Sequence, residues 1–110
     1  MSAITAPALE QPSLRIIPLH EDEQLVQWTL DGEVEYFGYL VRRYTPSFQR
    51  VAKRILKNEQ DAQDIVQTAF FHMFRKLYTF QAGSNFRSWA YRIVVNTSLM
   101  HLRKYRNRHA

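Results

Sequence analysis

The 110-residue chain has no cysteine, three glycines, four prolines and no long apolar run. Without cysteine there are neither disulfides nor thiolate metal sites, which is compatible with the reducing cytoplasm, where we expect the protein to be located. Apolar stretches such as residues 93–95 fall far below the roughly 20 residues that span a bilayer. The histidines share no metal-ligand spacing. We therefore expect a soluble domain without metal, cofactor or membrane partner.

Carboxylates are missing from the second part of the chain. All ten acidic residues lie at or before Asp64, and the 46 residues that follow carry eight Lys or Arg. The net charge is therefore −3 up to Asp64 and +8 after it. A cationic segment of this kind attracts phosphate backbones through counterion release. A solvated basic surface is the alternative that charge alone leaves open.

The distribution of proline and glycine divides the chain. Residues 1–20 hold three of the four prolines and show no periodicity, which predicts a flexible leader before a single domain over residues 21–110. Helices are predicted near residues 21–30, 33–57 (including Pro46), 60–79 and 86–107, with Asn58 and either Ser84 or Asn85 as N-caps. No stretch alternates with period two, so we expect an all-α, compact bundle of three to four helices. The loop of residues 80–85, with Gly83, is the best predicted surface loop.

The third predicted helix has two distinct faces at about 100° per residue. Its apolar arc comprises Val66, Ala69, Phe70, Met73, Phe74, Leu77 and Phe80. The opposite stripe comprises Asp64, Gln67, Thr68, Phe71 and Arg75. An exposed aromatic ring among polar groups is typical of a helix that docks on a partner protein. A solvated face with a partly covered Phe71 is the alternative.

The fourth predicted helix has two apolar arcs, so it is either sandwiched or serves a second surface. One arc comprises Phe86, Trp89, Ala90, Ile93, Val94, Thr97 and Met100, and the other comprises Tyr91, Val95, Leu99 and Leu102. Arg92, Asn96 and Arg103 lie between the arcs within about 40°. Arg can bind phosphates, Asn can read a base edge, and Trp89 could stack on a base. A core role for Trp89 and a satisfied amide within the helix packing for Asn96 remain the alternatives.

Several motifs in this part of the chain occur together and in order. They are D-x-x-Q at Asp64 and Gln67, F-x-x-W-x-Y-R-I-x-x-N from Phe86 to Asn96, and the basic helix end that begins with Leu102 and Arg103. The upstream residues that fit the preceding helix are Phe37, Leu40, Arg43, Tyr44, Arg50, Ala52 and Leu56. Over roughly residues 22–108 the sequence resembles region 2 of the extracytoplasmic-function (ECF) group of the sigma-70 family.

This resemblance implies a helical domain that binds core RNA polymerase and melts promoter DNA at the minus-ten element. The residues facing the coiled coil of the largest polymerase subunit would be Asp64, Gln67 and Thr68, to which the helical wheel adds Phe71. The 80–85 loop would capture a flipped base of the non-template strand. The residues facing DNA would be Phe80, Gln81, Ser84, Asn85, Arg87, Trp89, Arg92, Asn96, Arg103, Lys104 and Arg106. An anti-sigma factor is a further partner compatible with the resemblance.

The sequence departs from the family pattern at two positions. Thr68 replaces a common Glu, which would weaken one polymerase contact, and Met100 replaces a common Asp. No minus-thirty-five-binding domain follows, so the chain is expected to be either a fragment cut at the linker or a naturally short protein.

We expect a binding protein rather than an enzyme, because the residues form no nucleophile motif, paired carboxylates in the basic half or phosphate-cradling glycine loop. A sigma-like module that binds a regulator or polymerase without reading DNA is the first alternative. A general basic nucleic-acid binder that prefers RNA is the second.

Overall fold

The computed structural model describes the backbone of residues 21–109 and the side chains of residues 21–108, so the predicted leader lies outside the described residues. These described residues form four α-helices: α1 (Asp22–Leu30), α2 (Glu35–Leu56), α3 (Glu59–Lys76) and α4 (Phe86–His109). A 3₁₀ turn, Leu77–Thr79, follows α3. No strand occurs in the described part, and the prediction of an all-α bundle is confirmed. The third helix differs slightly from its prediction because its last residues tighten into the 3₁₀ turn.

Local signals determine the reversal between α2 and α3. Lys57 has a left-handed backbone (φ 59°) and its N–H donates to the Lys53 carbonyl at 2.7 Å, which ends α2. Asn58 then caps α3, as predicted, by accepting a hydrogen bond from the Asp61 N–H at 2.8 Å. Each cap satisfies backbone groups that a helix end would otherwise leave unpaired. The chain can therefore reverse within two residues.

Pro46 lies inside α2 without ending it. Proline cannot donate a backbone hydrogen bond to the carbonyl of the residue four positions earlier, here Arg42. Both residues are exposed, so that carbonyl can be hydrated. The preceding Thr45 hydroxyl donates to the Val41 carbonyl at 2.6 Å. The break in hydrogen bonding thus falls on the solvent side of α2, where its cost is smallest.

The core lies where α2, α3 and α4 meet. Its fully buried side chains include Leu25, Leu40, Met73, Phe86 and Val94. Aromatic rings connect the helices: Phe48 of α2 lies 5.9 Å from Phe70 of α3, and Tyr44 lies 5.8 Å from Phe86 of α4. The core therefore holds the outer faces of α3 and α4 in a defined relative position.

Three positions differ from the predicted helical faces. Phe74 belongs to the predicted core arc of the third helix and Met100 to an apolar arc of the fourth, but they are 42% and 50% exposed. Phe74 lies at the edge of its apolar arc and only packs its ring edge on Phe37, at 5.3 Å. Met100 lies where α4 passes the first turn of α3, so little of the bundle is left to cover it. Ser98, which no apolar pattern could place in the core, is fully buried.

Candidate nucleic-acid and protein interfaces

The 80–85 loop joins the 3₁₀ turn to α4 and is built around a buried ring. Phe80 is only 9% exposed and packs on Phe86 (5.9 Å between ring centroids) and Trp89 (5.5 Å). The Ser84 N–H donates to the Gln81 carbonyl at 3.0 Å, and Gly83 adopts the positive φ of 91° that such a turn favours in glycine. Gln81 and Ser84 are exposed. Phe80, predicted to face DNA, is placed beneath the loop and supports it.

Asn85 is the N-cap of α4. Its side-chain oxygen accepts a hydrogen bond from the Ser88 N–H at 2.9 Å, and its carbonyl accepts from the Trp89 N–H at 3.1 Å. Of the two predicted caps, Asn85 is therefore the one used. Arg87 lies in the first turn and is exposed. The cap holds an amide with two N–H donors and a guanidinium side by side at the start of α4.

Trp89 is partly packed in the core and partly accessible, so each of the two roles that the sequence allowed, core residue and stacking surface, fits a part of its ring. It is half-buried, with its ring 5.5 Å from Phe80 and 5.8 Å from Phe86. The packed part of the indole restricts its rotamers, and the remaining part is accessible. A ring held in this way can stack on an unpaired base at little entropic cost.

The outer face of α4 combines cations, an amide and exposed rings. Arg92, Asn96 and Arg103 are all exposed, as the predicted stripe required. A shallow groove runs along this side and is lined by Arg87, Ser88, Tyr91, Arg92 and Val95. Tyr91 and Leu99 are exposed, so the second apolar arc belongs to a surface and is not sandwiched.

The basic end of α4 is separate from this groove. Arg103, Lys104 and Arg106 are exposed. They lie 11 to 14 residues beyond Arg92, which is about 17–21 Å along the helix axis. His101 Nε2 lies 3.8 Å from Asp61 Oδ2 at the first turn of α3, so the basic end extends past that helix. These cations can meet only a ligand that also extends along α4.

A polar cluster that no sequence motif indicated connects α1 and α2. Asp22 pairs with the Arg43 guanidinium at 2.7 Å and accepts a hydrogen bond from the Tyr44 hydroxyl. Burial, followed by this hydrogen bond, raises the pKa of Tyr44 to about 12. The cluster lines an open cleft that also contains Asn85 and Arg87. Asp22 therefore joins α1 to α2 at this cleft.

The outer face of α3 differs chemically from that of α4. Asp64, Gln67, Thr68 and Phe71 are all exposed there, and Phe71 is 58% exposed. Local contacts organise the face: Gln60 donates to the Asp64 carboxylate at 3.2 Å, and the Arg75 guanidinium lies 5.5 Å from the Phe71 ring. Thr68 donates to the Asp64 carbonyl, also at 3.2 Å. All four predicted partner-facing residues are thus on one accessible surface.

Two exposed rings beside this face were not predicted as site residues. Phe74 is 42% exposed and Tyr78 is 77% exposed, and both follow Phe71 at helical spacing. The spacing of residues 71, 74 and 78 was visible in the sequence. It did not separate surface from core, because residue 74 lies at the boundary between the two.

One helical bundle therefore carries two chemically different exposed surfaces, a polar face with an exposed ring on α3 and a cationic, aromatic face on α4. The model of the sigma-70 region 2 family matches residues 40–108. The chain belongs to this family, as the sequence resemblance indicated.

Individual relatives agree with this assignment. The chain is 37% identical over 82 residues to the RNA polymerase sigma-H factor of Pseudomonas aeruginosa. It is 36% identical over 81 residues to the ECF RNA polymerase sigma-E factor of Escherichia coli. Each match covers 74% of this chain and 42% of the relative, so the chain spans less than half the length of these curated relatives.

A solved structure has the same fold. It is an NMR structure of an engineered region 2 of sigmaE in complex with GTAAAA, with a TM-score of 0.77 and 32% sequence identity. The match covers 82% of this chain and 94% of that one. Within the residues described for our chain, no helix is long and apolar enough to cross a membrane, and no group of three metal-ligating side chains occurs.

Proposed function

We propose that this domain recruits core RNA polymerase to promoters and recognises and melts the minus-ten element, as region 2 of an ECF sigma factor, without catalysis of its own. The observation that carries the proposal is the outer surface at the start of α4. There the half-buried Trp89 lies between an exposed loop and the exposed residues Arg92 and Asn96. The related region 2 of sigmaE is in complex with GTAAAA, which supports a single-stranded ligand for this surface.

The binding role proposed for each face follows from the chemistry of its side chains. The 80–85 loop and Asn85 would hold a flipped base, Trp89 would stack beside it, and Arg92 and Asn96 would contact the strand. Arg103, Lys104 and Arg106 would bind phosphates farther along. Asp64, Gln67, Thr68 and Phe71 would contact the polymerase coiled coil in the cytoplasm. Thr68 offers a hydroxyl in place of a carboxylate, so that contact would be weaker.

The DNA part is tested by fluorescence anisotropy with labelled GTAAAA and with its complement. We expect preference for GTAAAA, affinity that falls with salt, and about tenfold weaker binding for Asn96→Ala. Gln63→Ala removes an exposed amide from α3 and serves as the control. Unchanged strand preference in both Asn96→Ala and Trp89→Ala would contradict the DNA role.

The polymerase part is tested by pull-down of core enzyme. The double variant Asp64→Ala/Gln67→Ala should lose the interaction, whereas Asp31→Ala/Gln27→Ala removes the same groups from exposed positions near the end of α1 and should retain it. If the double variant lost polymerase binding but the wild type showed no preference between the two DNA strands, a module that binds proteins only would be favoured. Stronger binding to the RNA version of the hexamer would favour the general RNA binder.

A further inference from the structure

The outer face of α2 carries cations of one sign. Excluding Arg43, which pairs with Asp22, five Lys or Arg side chains on α2 or its C-cap are exposed; the only acidic residue of α2 is Glu35, in its first turn. At about 100° per residue these five occupy an arc about 120° wide, opposite the buried side. We call them the α2 basic stripe: Arg42, Arg50, Lys53, Arg54 and Lys57.

The arrangement is unfavourable for the isolated helix. Arg50 and Arg54 are four residues apart, as are Lys53 and Lys57, and like charges at this spacing repel. The helix C-terminus favours the last cations but does not reach Arg42 or Arg50. Lys53 is relieved by Glu59 at 3.0 Å, yet among residues 21–109 no carboxylate lies within ion-pair distance of Arg50, Arg54 or Lys57. An external anion would remove this repulsion.

The surroundings of the stripe indicate which anion fits. No large apolar side chain of α2 is exposed, so the stripe has no hydrophobic anchor of the kind that protein interfaces need. The half-buried Tyr39 ring lies under the Arg42 guanidinium at 4.8 Å, so the stripe has no open ring for an unpaired base. What remains is a row of charges, which suits a phosphate backbone.

We propose that the α2 basic stripe binds the phosphates of duplex promoter DNA that flanks the melted segment. This inference rests on the proposed function, because it takes the same DNA as the ligand. From Arg42 to Lys57 the stripe is about 22 Å long, which corresponds to about six base pairs of duplex. The carboxylates of Glu21, Asp22 and Glu23 line the cleft between Arg43 and Arg87. None of the stripe residues lines this acidic cleft, so we place the duplex contact outside it.

The test compares two charge-matched double variants on three probes. Arg50→Gln/Arg54→Gln removes two cations from the stripe, and Arg75→Gln/Lys76→Gln removes two exposed cations from α3. The probes are the GTAAAA hexamer, a 20-bp duplex, and a fork that joins them. For the stripe variant we expect unchanged hexamer binding and about tenfold weaker duplex and fork binding. The slope of log K against log salt should fall by about two for these probes.

The outcomes separate the two proposals. If duplex affinity fell equally in both double variants, or fell in neither, the proposed role of the α2 basic stripe would be contradicted. If the wild type did not bind the hexamer but the stripe variant still bound the duplex more weakly, promoter melting would be contradicted and the α2 basic stripe would be supported.

Arg50→Glu provides a second readout that a structural role would not produce. A glutamate at this position can pair with Arg54 and Lys53, so the melting temperature should rise by about 1–3 °C while duplex affinity falls. A lower melting temperature, or unchanged duplex affinity, would contradict the proposal.

Discussion

The outer faces of α3 and α4 belong to neighbouring helices, share one core, and differ in almost every chemical respect. On α3 a carboxylate and an amide, Asp64 and Gln67, lie beside the exposed ring of Phe71. On α4 a cation and an amide, Arg92 and Asn96, follow the half-buried ring of Trp89 along the helix, and further cations, Arg103 among them, lie towards its end. An exposed ring with polar neighbours suits a protein groove, whereas a restrained ring with cations suits bases and phosphates. The difference supports the proposal of one partner for each face.

Loss of a buried side chain from the shared core should destabilise the bundle and so abolish binding at both faces at once. Phe86 is buried and contacts Tyr44, Phe80 and Trp89, so Phe86→Ala should cost about 3–5 kcal/mol of unfolding free energy. Phe71→Ala makes the same change on the surface and should cost less than about 1 kcal/mol. Urea denaturation measures both. Similar losses would mean that Phe71 is not on the surface described.

Double variants on each face should separate hexamer binding from polymerase binding. Arg92→Ala/Asn96→Ala should weaken hexamer binding by about 10- to 100-fold and leave polymerase pull-down intact. Asp64→Ala/Gln67→Ala should do the reverse. All four side chains are exposed, so neither double should unfold the bundle. If either double impaired both readouts, the assignment of one partner to each face would be wrong.

Alkaline pH should act on the bundle through a residue that belongs to neither face. The pKa of Tyr44 is raised from 10.0 to about 12, chiefly by burial. The folded state therefore holds this proton more tightly, so the stabilisation is complete below pH 10 and is lost as pH rises towards 12. The expected loss is on the order of 2 kcal/mol. In urea titrations at several pH values, Tyr44→Phe should lack this part of the decline; parallel curves would show that the Tyr44 hydroxyl does not cause it.

The smallest effect is expected on the buried side of α4. The Ser98 hydroxyl is buried and has no hydrogen-bond partner among the described residues. Ser98→Ala should therefore leave stability unchanged or raise it by up to about 1 kcal/mol, with no effect on DNA binding. Thr97→Val, which removes a hydroxyl that donates to the Ile93 carbonyl at 2.7 Å, should destabilise instead. Thermal unfolding distinguishes them, and a clear loss in Ser98→Ala would show an unrecognised partner.

The helices could be predicted because their ends depend on local signals. Asn58 as a cap and Gly83 in the 80–85 loop act within three or four residues of their own position. The contacts between Asp22, Arg43 and Tyr44 could not be predicted, because 21 or 22 residues separate the partners and no pattern links them.

The candidate site could be predicted where it follows the surface of one helix. The individual stripe residues are exposed as their spacing required: Asp64, Gln67, Thr68 and Phe71 on α3, and Arg92 and Asn96 on α4. Phe80 is buried, as its apolar arc predicted, so only its additional place among the DNA-facing residues differs. Phe74 and Met100 lie on apolar arcs and yet are exposed, because their burial depends on neighbouring elements and on where the bundle ends. The α2 basic stripe could not be recognised from the charge distribution, for a different reason. Carboxylates on α1 and α3 cancel its charge in any sum over the first 64 residues.

Chemical-shift mapping by ¹H–¹⁵N NMR during titration with GTAAAA tests the central claim most directly, because it reports both faces in one experiment. We expect the largest shifts at the amides of residues 81–96 and none above background at residues 64–71 on α3. Equal or larger shifts on α3, or no shifts at saturating hexamer, would contradict the assignment of the α4 face to single-stranded promoter DNA.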